Sequence, residues 1–249
     1  MFKSCFKSIV SIIFVLYGTA YADAIKADFD VSYGIFGKIG TAKAVLNKES
    51  NSYTIDIKLA ATGLARLLSS GRKEHHISKG HISKGMMISD VYKVIKSHGD
   101  VLVNKEYCLD HKKKTIQKTY TKSYKGKVVK TEVHTLDFYT KDDLLTLYFN
   151  LDQAVPDKDK PKTYIFKAVG AERQQGKVSV VIPKEAERPK YIEVLGKDAA
   201  WYATAIIHQK IFSSKEGRLM LAVGEDGITN KAVLKDVIFF GDIRAVRVK

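Results

Sequence analysis

A two-residue rhythm limits this chain more than any other feature. In YTIDIKLA, residues 53–60, Tyr53, Ile55, Ile57 and Leu59 fall on one side of an extended backbone, with Thr54, Asp56 and Lys58 on the other. Side chains along a β-strand point alternately to opposite faces, so this pattern specifies a strand with one buried and one solvated side. FDVSYGI repeats it with Phe29, Val31, Tyr33 and Ile35, and Gly37 and Gly40 then bend the chain toward a turn. Further strands are predicted over residues 91–95, 101–108, 115–124, 127–136, 164–169, 177–182, 191–195, 200–212, 218–223 and 231–240, and none of them contains a proline. A chain with this many half-buried strands must curl its sheet to hide the apolar side.

Two segments depart from the rhythm. GLARLLSSG, from Gly63, spaces Leu64, Leu67 and Leu68 as a helix does and stops at Gly71. TKDDLLTLYFNLDQAV, from Thr140, sets Thr140 and Asp143 at capping-box spacing, and Leu144, Leu147, Tyr148 and Leu151 then mark one helical face. The expected fold is mainly β: an antiparallel β-barrel or half-barrel with two short helices over a mouth or flank. PDKDKPK, from Pro156, reads as a polar loop, and nothing marks a second domain.

Residues 1–22, MFKSCFKSIVSIIFVLYGTAYA, have the parts of a cleaved secretory signal: Lys3 and Lys7, an apolar run from Ile9 to Tyr17, and the box Ala20-Tyr21-Ala22. The apolar run is far shorter than the ~20 residues a spanning helix needs. Cleavage before Asp23 would leave a single β-rich domain, 23–249, in the periplasm. It would also remove Cys5 and leave Cys108 alone, with no internal disulfide.

Several stretches, taken in order, resemble exported bacterial proteins of domain of unknown function family 3108. They are FDVSYGIFGKIG near the start, SKGHISKGMMISDVY with Ser78, Gly80 and Tyr92, DDLLTLYFNL over residues 142–151, and EDGITNKAVLKDVIFFGDIRAV from Glu225. The likeness runs over residues 25–247. It implies an exported, mainly antiparallel β protein of no established activity. It also implies that Ser78–Tyr92 is extended backbone with a glycine kink rather than a ligand loop. The architecture is similar to the half-barrels of outer-membrane lipoprotein carriers.

HHISKGHISKG, residues 75–85, invites a metal reading. His76 and His81 are five apart and face opposite sides of a straight strand. His75 and His81 share a side but stand ~20 Å apart at 3.3 Å per residue. The stretch therefore reads as two similar β segments sharing turn glycines, Gly80 and Gly85. His98, His111, His134 and His208 form no helical ligand pair, and neither a metal nor another cofactor is expected. Residues 112–130, KKKTIQKTYTKSYKGKVVK, are dense in lysine and hold no acid. They read as a hairpin with its tip at Gly126, its lysines guarding an edge. Lys112, Lys113, Lys114, Lys118 and Lys122 could also meet anionic lipid or lipopolysaccharide headgroups, a peripheral membrane contact that the net charge of +15 favours. An exported chain is not expected to meet nucleic acid.

No G-x-S-x-G, H-E-x-x-H, C-x-x-C or P-loop occurs. Cys108 reads as a small buried hydrophobe, Asp142 and Asp143 as charges serving a helix start, and GEDG at 224–227 as a hairpin turn. The functional expectation is therefore a monomeric, non-enzymatic envelope protein that binds an apolar or amphipathic ligand in a β-barrel-like cavity. The candidate lining is Ile55, Ile57, Leu64, Leu67, Leu68, Leu144, Tyr148 and Trp201. The alternative is an interaction protein that docks on anionic envelope components through the lysine hairpin.

Overall fold

The computed structural model describes residues 23–208, 217–237 and 241–248. The leader-like residues 1–22 lie outside them, as do the ends of the stretches 200–212 and 231–240. In chain order the strands and helices are β1 (Asp23–Tyr33), β2 (Lys38–Lys48), β3 (Ser52–Ala61), α1 (Gly63–Leu68), β4 (Lys73–Ser83), β5 (Met86–His98), β6 (Val101–Asp110), β7 (Thr115–Tyr124) and β8 (Lys127–Thr135). There follow α2 (Leu144–Ala154), β9 (Lys162–Lys167), β10 (Lys177–Ile182), α3 (Arg188–Leu195), β11 (Trp201–Ile206), β12 (Arg218–Val223), β13 (Thr229–Val237) and β14 (Gly241–Arg247).

These strands form one antiparallel sheet of two meanders. Strands β1 to β8 neighbour one another in sequence order, as do β9 to β14, and β1 pairs with β14 to join the halves. Among the described residues β8 and β9 are the two ends of the sheet, so it is a half-barrel rather than a closed one. Helix α2 sits in the chain between the meanders and folds back into the trough they make. Leu145 and Phe149 pack on Leu46, Tyr53, Ile55 and Met87 of one half. Leu147, Leu151 and Val155 pack on Val178, Val180, Ile182, Trp201, Leu221 and Val223 of the other. Helix α3 covers the opposite face, with Tyr191 and Leu195 against Tyr202, Met220 and Val233.

Two expectations are corrected here. Residues 191–195 form the end of a third α-helix, not a strand. A short apolar run has no period long enough to separate the two. Pro189 in its first turn and Gly196 at its end (φ 89°) supply the start and stop. Gly80 is not a turn glycine. It lies inside β4 at a bulge, and Lys84 and Gly85 make the turn. The bulge sits between the pairs Lys79–Val91 and Gly80–Ser89, leaving Asp90 unpaired. It brings Ser89 and Tyr92, three residues apart, both to the inner side, which regular alternation forbids.

A Cβ at Gly80 would stand 1.9 Å from the Ile88 carbonyl oxygen and 2.9 Å from the Tyr53 ring. Gly80→Ala should therefore lower stability by about 1–3 kcal/mol, the usual cost of forcing extra volume into a packed site. Urea denaturation would show this as an earlier midpoint.

Candidate functional site: the open end of the trough

Helix α2 fills only one end of the trough. On β3, Tyr53 and Ile55 lie under the helix, while Leu59 and Ala61 run on beyond it. On β12, Leu221 and Val223 are buried in the cluster that α2 packs on, while Leu219, only partly buried at its edge, also lines the open end. Ile55 and Leu59 are four residues apart, about 13 Å along the strand. At the uncovered end there is a cavity of about 340 Å³, within the ~300–1,000 Å³ range of small-molecule sites. Its walls come from both halves: Val31, Ile39, Ala42, Leu59, Leu234 and Ile243 are typical of them. The charged exceptions are Arg72 and Glu74, at one corner.

That corner is internally paired. Glu74 accepts from Arg72 Nη2 at 2.6 Å, from Lys96 Nζ at 2.8 Å and from His76 Nε2 at 3.1 Å. Burial opposes its charge, but these donors overcome burial and hold its carboxyl well below the ordinary 4.5.

Helix α1 leaves β3 beside the cavity and packs on β2 and β3. Its leucines face water: Leu64 is 61 % exposed, Leu67 78 % and Leu68 78 %. Phe36 is exposed in the short turn that links β1 to β2. Burying one leucine is worth about 1.5–3 kcal/mol, so this rim holds apolar surface that a ligand could cover.

The structure divides the expected lining between two places. Leu64, Leu67 and Leu68 stand on α1 beside the cavity, whereas Ile55, Ile57, Leu144, Tyr148 and Trp201 belong to the packing around α2. Ile57 packs with Phe149, Leu144 against the Trp201 cluster, and the Tyr148 hydroxyl accepts from the Thr229 N–H at 3.1 Å. Alternation had placed Leu59 on the correct face. It carries no signal for how far along the trough α2 reaches, so the walls from β12, β13 and β14 were missed.

The lysine hairpin is also redistributed. Lys112, Lys113 and Lys114 are exposed in the β6–β7 turn, while the Gly126 tip lies a strand length away, about 30 Å. Lys122 is half-buried on β7, opposite Lys130. Lys118 is not a surface cation: it is buried and donates to Glu172 at 2.5 Å. Cys108 is exposed rather than buried. GEDG is a turn, with the Gly224 N–H bonded to the Ile228 carbonyl.

Asp143 is the main polar feature of the interior. It is fully buried and caps α2: Oδ1 accepts from the N–H groups of Leu145 (2.7 Å) and Thr146 (3.0 Å). Oδ2 accepts from the hydroxyls of Ser78 (2.5 Å), Ser89 (2.6 Å) and Thr146 (3.0 Å). Tyr53 adds bonds to Ser78 and Thr146. Thr140, expected in a capping box, instead donates to the Lys167 carbonyl. Ser78 and Ser89 are 0 % exposed and engaged, so the cluster ties structure together rather than offering a nucleophile. Further His–acid contacts, missed by strand arithmetic, join His81 and His111 to Asp90.

No family model matches the chain, and no curated protein matches it in sequence. Among solved structures it is similar to the crystal structure of a beta-barrel-like protein of domain of unknown function DUF1849 from Brucella abortus. The identity is 15 % and the TM-score 0.50, over 90 % of this chain and 95 % of that one. The likeness shows a β-barrel-like fold and nothing of activity.

Beside Asp143, burial and the neighbouring charge push the Asp142 carboxyl up from 3.8 to about 6. A raised value means the folded state favours the protonated form. Its stabilisation is full below the ordinary 3.8 and is lost as pH rises through about 6. Asp142→Asn keeps the neutral form. It should match the parent chain near the acid end and exceed it above about pH 7, by up to about 3 kcal/mol. Urea midpoints from about pH 4 to pH 8 would show the two curves diverging.

Proposed function

We propose that the chain is a non-enzymatic binding protein that holds an apolar or amphipathic envelope molecule at the open end of its half-barrel. The observation that carries this is an apolar cavity walled by Val31, Ile39, Leu59, Leu219, Leu234 and Ile243, next to a helix whose leucines are exposed. A protein with no use for that end would be more stable with it filled, because each exposed leucine forgoes the free energy of its burial. An acyl chain would lie along the aliphatic walls. Its polar end would face the charged corner, where Arg72 and its partner Glu74 line the cavity.

The rest of the reading belongs to the same proposal. Residues 1–22 act as an export signal, the folded chain works in the periplasm, and its origin is shared with domain of unknown function family 3108. Two segments that carry that resemblance, around Ser78 and over residues 142–151, meet in the bonds to Asp143. Docking through the lysine hairpin is weaker, because Lys118 is buried and the exposed lysines are divided between the two ends of β7.

A fluorescent fatty acid titrated into the purified chain tests the cavity. Saturable one-to-one binding is expected. Ala232→Trp, which places a large ring in the cavity, should weaken it at least tenfold while leaving the circular dichroism unchanged. Replacing Leu67 and Leu68 by Asp should weaken it less. No saturable binding, or binding that Ala232→Trp leaves intact, would overturn the reading.

A further inference from the structure

The β4–β5 bulge and the β6–β7 turn bring together three side chains from three successive segments of the chain. His81 Nδ1 lies 3.0 Å from Asp90 Oδ1 and 3.1 Å from Oδ2. His111 Nε2 lies 3.0 Å from the same Oδ1. One nitrogen from each ring and a carboxylate oxygen all lie within 4.8 Å of one another. The two imidazole rings meet edge to face, 5.5 Å between centres. We propose that His81, Asp90 and His111 form a binding site for a divalent transition-metal ion of the zinc class, with water completing the coordination shell.

Four features favour this over an ordinary surface hydrogen-bond chain. First, the geometry is close to what the ion needs. Zinc holds imidazole nitrogen and carboxylate oxygen at about 2.0–2.2 Å, which puts tetrahedral ligand atoms about 3.4 Å apart. The two N···O separations need to open by only a few tenths of an ångström. Second, the nitrogens converge. Elsewhere His75 bonds Asp56 as a single pair, whereas at Asp90 two rings aim at one oxygen. Third, His111 has an outer partner: its other nitrogen, Nδ1, lies 2.8 Å from the Tyr139 hydroxyl. Metal-binding histidines commonly hold their second ring nitrogen in this way. On binding, the His111 proton would move from Nε2 to Nδ1, where the Tyr139 oxygen accepts it. The Nε2 lone pair would then be free for the ion.

Fourth, the backbone builds the site. Asp90 is the unpaired residue of the bulge, and bulges re-aim a side chain. His111 opens the turn that Asp110 closes, with Asp110 Oδ1 accepting from the N–H groups of Lys112 (3.1 Å) and Lys113 (2.9 Å). The three side chains are 25–44 % exposed in a cleft also lined by Cys108, Asp110, Lys112, Lys113, Thr115 and Gln117, so an ion has a path in. The two lysines oppose a cation, and the Lys113 ammonium is drawn to Asp110 at 3.5 Å. Cys108 is not assigned as a ligand, since its thiol is directed at Glu106.

The test is zinc chloride titrated calorimetrically into the purified full chain, with bound zinc counted after dialysis. One zinc per chain is expected. His81→Gln, Asp90→Asn and His111→Gln should each weaken binding at least tenfold. Tyr139→Phe, which removes only the outer partner, should weaken it about tenfold. His98→Gln and Cys108→Ser should leave it unchanged. Circular dichroism separates loss of the site from loss of the fold. Absence of saturable binding by the folded chain overturns the proposal. So does one-to-one binding that survives the double change His81→Gln with His111→Gln.

Discussion

One buried carboxylate holds this architecture in register. Asp143 uses one oxygen to satisfy two orphan N–H groups of helix α2 and the other to gather Ser78 from β4, Ser89 from β5 and Thr146 from the helix itself. Burial pushes its carboxyl up, and the hydroxyl and N–H donors, which favour the charge, offset that only in part. A charge taken out of water is tolerated only when its lone pairs are met, and here five donors meet them. The start of α2 is therefore fixed against β4 and β5. A backbone pairing of Asp143 with Val169, outside the named strands, secures it further.

The rest follows from where that helix lies. The pairing of β1 with β14 joins the two meanders around one trough. The trough has two apolar flanks and a single long helix to fill it. Eleven residues at 1.5 Å each give α2 about 16 Å, too short for the length of β2 or β3. Filling therefore stops partway, and the aliphatic walls beyond it form the cavity. Strand β8, one end of the sheet among the described residues, is exposed along its whole length.

The bulge at Asp90 links the interior to the surface. Without the extra residue, Ser89 and Tyr92 could not both turn inward, Ser89 to Asp143 and Tyr92 to the cluster with Tyr107 and Val169. The same irregularity leaves Asp90 beside His81. One departure from the strand period thus serves both the Asp143 cluster and the histidine cluster.

Which residues face inward was written in the sequence. Tyr53, Ile55, Ile57 and Leu59 share a side because two-residue alternation is a local property of extended backbone, and α1 and the glycine-bounded turns are local too. The residue pattern alone did not place Gly80 within a strand, because a bulge is defined by the partner strand. Nor did it place the helix at 188–195, whose short apolar run fits either period. Burial of Lys118 depends on Glu172, fifty-four residues away, and the meeting of His81 with His111 depends on the β5–β6 pairing between them. The sequence by itself determined an antiparallel, curled β fold with apolar helices, since that needs only near-neighbour patterning. Only the tertiary structure decided how far α2 fills the trough, and hence which apolar residues became core and which became cavity wall. Burial of that kind is set by contacts between segments remote in the chain, and no local period encodes it.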